Sequence, residues 1–145
     1  MLTAAVVQAA ATLFLTGVAW TVQAVVYPAF AHVPAGAAWR RHHETHSRAI
    51  TAVVGPPWVV QGVATAVLLV LAPREPLVWT VAVLAAAGVA VTLPAASLHG
   101  RLDPHTAPDG LRRLLRLNLA RALVWSAGSV AAGLLVLGVT SPGSP

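Results

Sequence analysis

Four apolar runs, each long enough to cross a bilayer, follow one another along the chain, with short connections rich in charge or proline between them. A helix needs about 20 mostly apolar residues to cross the hydrocarbon layer. The pattern predicts spans over about 2–30, 49–71, 77–98 and 111–139. The first run holds no charged side chain, follows no Lys or Arg, and is too long for the apolar part of a signal peptide, so it reads as an anchored span. In the second, Pro56 and Pro57 predict a kink or broken turn, because proline removes a backbone donor and crowds the preceding turn. Pro94 stands near the end of the third. The segment APREP at 72–76 is a tight connection, and HGRLDPHTAPDG has the Gly and Pro punctuation of a loop. The fourth helix is expected to begin near Leu111, with Asp109 capping its first turn. The closing TSPGSP reads as a frayed tail.

Composition agrees with this pattern. Of 145 residues, 57% are hydrophobic and only 9% charged, and the mean hydropathy is +0.76. These values exceed what the surface of a soluble domain permits. Four spans use up most of the chain, so residues 1–145 form a single all-α domain, an integral membrane four-helix transmembrane bundle, and any function resides in the bundle or on its rims. Spans one and three end in the related strings YPAFAH and LPAASLH, and spans two and four begin near Arg48-Ala49 and Arg121-Ala122. This weak echo leaves open an origin in two parallel-repeat hairpins.

The absence of cysteine excludes disulfides, thiolate metal sites and thiol redox chemistry. The net charge of +5 comes from arginines, with no lysine. In a soluble protein that would suggest nucleic acid, but arginines at span ends are an orientation signal and no nucleic acid partner is expected. Arg40, Arg41, Arg48, Arg101, Arg112, Arg113 and Arg116 belong to the connections after spans one and three, and Arg74 alone to the other. Both termini should therefore lie outside the inner (plasma) membrane. All 6 histidines fall on the cytoplasmic side.

Chemistry should concentrate at that end. If WRRHHETHSRAI is helical, Trp39, His43, His46 and Ile50 share one stripe, and Arg40, Arg41, Glu44 and Arg48 lie opposite. Histidines three or four positions apart on a helix have Cβ atoms about 5–6 Å apart and can share a metal ion. His43 and His46 are thus candidate ligands for iron, copper, zinc or a haem. HHETH is not the HExxH zinc-protease pattern, since Ser47 follows His46. His99 continues a stripe of small residues, Ala85, Gly88, Thr92 and Ala95, that marks a bundle-facing side, making it a third candidate ligand. On the fourth helix, Arg112 and Arg116 project on one face, and Asn118, Arg121 and Trp125 on another. An arginine two to three turns inside a span is a functional candidate by default, with snorkelling to the headgroups as the alternative. Gln23 and Tyr27 lie at the same level of span one and complete a polar pocket. Gln61 lies deeper and is expected to make an interhelical hydrogen bond.

With YPAF, HETHSRAITAVVGPP, SLHGRL and NLARALVW in place, the chain resembles, over nearly its whole length, a family of small uncharacterised four-span bacterial membrane proteins. That resemblance picks out Tyr27, Pro28, His43, His46, Arg48, His99, Asn118, Arg121 and Trp125. Such proteins often carry Tyr before the first histidine and an acidic residue after the PP, where this chain has His42 and Gln61, so a family role for that carboxylate does not carry over. More distantly, the pattern looks like anthrone-oxygenase-type four-span proteins, which implies oxidation of a hydrophobic aromatic substrate.

The residues leave three readings open. The first is a membrane-embedded metal- or haem-dependent oxidoreductase or oxygenase acting on a lipophilic substrate at the cytoplasmic leaflet. In it His43, His46 and His99 bind the metal or haem, and Arg121, Asn118 and Tyr27 serve as catalytic groups. The second is a non-enzymatic accessory, structural or small transport subunit, and a homo-oligomer is open under any of the readings. The third is a cofactor-free enzyme in which a histidine takes a proton from an acidic substrate.

Overall fold

A computed structural model describes the backbone of residues 1–34, 36–99 and 107–141 and the side chains of 1–34, 36–94 and 110–141. All regular structure among them is helical. Helix α1 is α-helical over Leu2–Thr21, passes through one π turn at Val22–Val26 and finishes with Tyr27–Phe30. It is followed by α2 (Ala37–Leu71), α3 (Pro76–His99) and α4 (Ala107–Thr140). All four are long and apolar enough to cross a membrane, and the chain is a multi-pass membrane protein with a helical bundle fold.

Short connections make chain neighbours antiparallel. Helix α1 packs between α2 and α4, α4 packs between α1 and α3, and α2 touches α3 more sparsely, so the ring of helices is loosest along the α2–α3 seam. Large apolar side chains that would be buried in a soluble bundle face outward, Val70 at 79% and Val59 at 67% exposure among them. Lipid is the solvent that makes such exposure favourable.

The interior is layered. At the end holding the chain termini, small residues Ala5, Ala9, Ala131 and Ala132 pack with Leu68, Val78, Val81 and Leu135. Small side chains let helix backbones approach where no hydrophobic driving force separates protein from lipid. The middle layer is Leu15, Ala19, Ala122 and Trp125. At the arginine-rich end, Val22, Tyr27, Phe30, Trp39 and Leu114 form the third.

Several polar groups are paired across helices. Thr16 Oγ1 and Ser129 Oγ are 2.9 Å apart, and Trp20 Nε1 donates to Ser126 Oγ at 3.0 Å. Gln61, 2% exposed, donates through Nε2 to Thr12 Oγ1 at 2.8 Å, the interhelical bond expected of it. Thr12, Thr65 and Thr92 each return their hydroxyl to the carbonyl four residues back, which satisfies them without a partner helix.

Three boundaries differ from the apolar pattern. Helix α2 begins at Ala37, well before the apolar run at 49, because no breaker intervenes between Gly36 and Gly55. Gly36 itself, at φ 99, ends the preceding turn in a conformation open mainly to glycine. The 35 residues of α2 span roughly 52 Å against a hydrocarbon core of about 30 Å, so its first turns stand at headgroup level. Helix α4 begins at Ala107 rather than near Leu111. Pro108 is compatible with a first turn, where its missing N–H has no partner to lose, and Asp109 lies inside that turn instead of before it, its side chain outside the described residues. Finally, α2 runs through Pro56 and Pro57 without a break. The carbonyls that lose their donors belong to Ala52 and Val53, both on the outer face, where the ring of helices is not disturbed.

Candidate functional site

The π turn in α1 has a local cause. Pro28 has no N–H, and its ring crowds the carbonyl four residues earlier. Widening the preceding turn relieves the crowding, and Tyr27 N–H donates to Val22 O, one residue further back than in an α-helix. After it, Tyr27 and Phe30 both point inward, at 3% exposure each.

The start of α2 lies against this end of α1. Phe30 becomes the hub of an aromatic cluster, its ring centroid 4.8 Å from His42, 5.2 Å from His46, 6.0 Å from His43 and 6.3 Å from both Tyr27 and Trp39. His43 stacks flat on Trp39, at 4.9 Å and 8° between planes. The edge-to-face contacts with Phe30 and the stack on Trp39 favour fixed orientations of these imidazoles. Trp39 and His43 are buried and His46 and Ile50 half-buried, whereas Arg40, Arg41, Glu44 and Arg48 are exposed, as the helical stripe requires.

Beside this cluster lies a cavity of about 810 Å³. Its walls are Val22 and Tyr27 of α1, a long strip of α2 from Trp39 through His43, His46, Ser47, Ile50, Thr51, Val54 and Gly55 to Trp58, Thr92 of α3 and Arg121 of α4. Arg40, Glu44 and Arg48 contribute to its rim. The volume falls within the ~300–1,000 Å³ typical of drug-sized ligands. The strip on α2 runs from headgroup level toward the bilayer interior, along the loosely packed α2–α3 seam.

Arg121 is held rather than free to snorkel. It donates through Nη2 to Asn118 Oδ1, and its guanidinium lies 5.4 Å from the ring of Trp125. Asn118, 1% exposed, donates through Nδ2 to Ala19 O at 3.0 Å and to Gln23 Oε1 at 2.9 Å. Trp125 is equally buried and packs against α3 at Gly88, where a Cβ would stand 2.6 Å from its Nε1. The chain of contacts Gln23–Asn118–Arg121–Trp125–Gly88 thus ties three helices together under one cation.

Of the sequence-predicted site residues, Tyr27, His43, His46 and Arg121 converge on the cavity. Asn118 does not reach it, and neither do Gln23 and Trp125. The Nδ2 of Asn118 is taken up by α1 and its Oδ1 by Arg121. The stripe Gly88 and Thr92 faces the bundle as expected. His99 and Ala95 have side chains outside the described residues. Sequence reasoning missed Phe30, although the YPAF string contains it, and the apolar wall Thr51, Val54, Gly55 and Trp58, which carries no polar signature. Among the described residues no group of three or more His, Cys, Asp or Glu gathers as a metal site. His43 and His46 supply two imidazoles from one helix turn.

No protein family, curated protein or solved structure matches the chain.

Proposed function

We propose that the chain is a membrane-embedded oxidoreductase, acting on a lipophilic substrate that enters the cavity from the bilayer. The observation that carries the reading is the cavity itself. It brings an apolar wall of α2 together with two oriented imidazoles, a tyrosine and a tethered arginine, and it opens where substrate dissolved in lipid can reach it. Arg121 orients a carbonyl or anionic group of the substrate. His46 or His43 accepts a proton from an acidic aromatic position, and the electron-rich anion so formed gives its electrons to dissolved dioxygen, the oxidant, so that a ring CH2 becomes a carbonyl and the second oxygen atom leaves as water. The distant resemblance to anthrone-oxygenase-type proteins supports the same substrate class.

A second reading is favoured by His43 and His46 facing the cavity from one turn: they hold iron, copper or a haem that supplies the redox chemistry. Among the described residues no third His, Cys, Asp or Glu joins them as a metal-holding group.

One experiment separates the two. Protein purified from iron- and copper-replete cells is analysed for metals and by absorption spectroscopy, alongside His43→Ala and His46→Ala variants, and each is assayed for oxygen uptake with hydrophobic phenols and anthrones. The expected result is turnover that either substitution lowers by about 10²-fold or more. Stoichiometric metal or a haem band lost in the variants transfers the reading to the metal. Unchanged oxidation in both variants sinks it in either form.

We further propose that both termini lie outside the cell membrane and the cavity at the cytoplasmic leaflet, which the arginine asymmetry of the connections supports. A cysteine introduced by Gly36→Cys should react with a membrane-impermeant maleimide only after the cells are opened, and one introduced by Ser141→Cys in intact cells. The reverse pattern refutes the orientation.

A further inference from the structure

Arg121 carries a positive charge at a depth where charge is expensive, and no described carboxylate neutralises it. Among the described residues no carboxylate lies within ion-pair distance of its guanidinium, and its one protein acceptor is the neutral Oδ1 of Asn118. Its Nε is buried without a hydrogen-bond partner, and so is Nε1 of Trp58, another cavity-wall residue that can only donate. Two groups of the cavity wall that can only donate, and Ser47 Oγ, which can donate or accept, thus lack a protein partner around a cation that Trp125 backs and Asn118 keeps in place. Among the described residues the sole carboxylate of the lining is Glu44, on the exposed rim with Arg40 and Arg48. Buried donors and buried charge are ordinarily matched. Here the space that would hold the matching group is the cavity.

We propose that the ligand of this cavity is a lipophilic monoanion, a carboxylic acid on a hydrocarbon or polycyclic body, with Arg121 as its counter-ion. The inference rests on the proposed lipid-accessible cavity and names the chemical class of what enters it. One arginine at depth matches one negative charge, whereas a dianion would remain half uncompensated. The guanidinium fork suits the two oxygens of a carboxylate, and the apolar strip of α2 takes the body. Arg40 and Arg48 at the rim draw anions toward the mouth. The same charge chemistry is offered by the phosphodiester headgroup of an anionic bilayer lipid, which is a second source for the same site.

The cavity contains its own reporters, Trp39 and Trp58. Full-length protein in phosphatidylcholine nanodiscs is titrated with dibromostearate, a collisional quencher of tryptophan. Quenching of lipid-facing Trp20 and Trp79 rises without saturation, whereas quenching from the cavity saturates and is reversed by stearate. The expected result is reversal by stearate and not by stearyl alcohol, with binding about tenfold weaker or worse in Arg121→Gln. Arg121→Lys should keep the preference for acid over alcohol, which guards against a simple folding defect in the first variant. Gly55→Phe should remove the saturable phase, since a side chain there meets nothing within 4 Å and grows into the cavity. If phosphatidylglycerol in the nanodisc displaces dibromostearate, the anion comes from the bilayer and the site stands. Equal reversal by acid and alcohol overturns the anionic ligand while leaving the cavity reading intact, and acid preference unchanged in Arg121→Gln overturns the counter-ion. No saturable phase in the wild type overturns both.

Discussion

Replacing Asn118 with leucine is expected to destabilise the bundle by about 3 kcal/mol, although the side chain touches neither the cavity nor solvent. Asn118 donates to Ala19 O and Gln23 Oε1 and accepts from Arg121. Leucine fills nearly the same volume, so the loss is in hydrogen bonding rather than packing. Interhelical bonds in membranes contribute about 0.6–2 kcal/mol each, and a bond to a charged donor roughly 1.5–3. Asn118→Asp serves as the internal comparison. It restores an acceptor for Arg121 but cannot donate to Ala19 or Gln23, so it should recover only part of the loss while supplying the countercharge that the cavity lacks. Reversible unfolding of the detergent-solubilised protein in dodecyl sulfate, followed by circular dichroism, reads both. An Asn118→Leu protein with an unchanged midpoint would show that the tie between α1 and α4 resides elsewhere.

Gly88→Ala is expected to destabilise by about 1–3 kcal/mol, the range for overpacking a core, against a helix propensity that favours alanine by about 1 kcal/mol. A Cβ at position 88 stands 2.6 Å from Trp125 Nε1 and 3.2 Å from its Cδ1. The indole cannot retreat, because it is 1% exposed and packed with Leu15, Ala19 and Ala122. Gly133 is the control: it lies on the outer face with nothing within 4 Å of its Cβ position, so Gly133→Ala should be neutral or stabilising. The opposite signs at two helical glycines isolate the contact from propensity. Because Trp125 supports Arg121, Gly88→Ala should also weaken binding of an anionic ligand, and a variant of full stability and full affinity would disprove the close α3–α4 approach.

Legibility from sequence divided along physical lines. Trp39, His43, His46 and Ile50 could be placed on one inward stripe because helical periodicity and the cost of burying Arg40, Arg41, Glu44 and Arg48 both act within one segment. Gln61 and Arg121 could be marked because a polar group inside an apolar run must find a partner wherever the run packs. The same logic could not separate Arg121, which faces the cavity, from Asn118, which faces α1, since both lie on one side of α4 and their fates depend on which helix each meets. Phe30 went unmarked because a lone aromatic near a span end has the sequence signature of an interface anchor. Its role as hub appears only when the start of α2 packs over it.

The sequence by itself determined the solvent, the four crossings and the concentration of arginine and histidine at one end, because hydrophobicity and charge are properties of residues taken a few turns at a time. Only the tertiary structure decided that α2 and α3 part enough to leave a cavity, that Gly88 admits Trp125, and that Trp125 and Asn118 together hold an arginine with no carboxylate beside it among the described residues. Those outcomes depend on distances between residues far apart in the chain, set when four helices pack at once, and no periodicity within one helix encodes them.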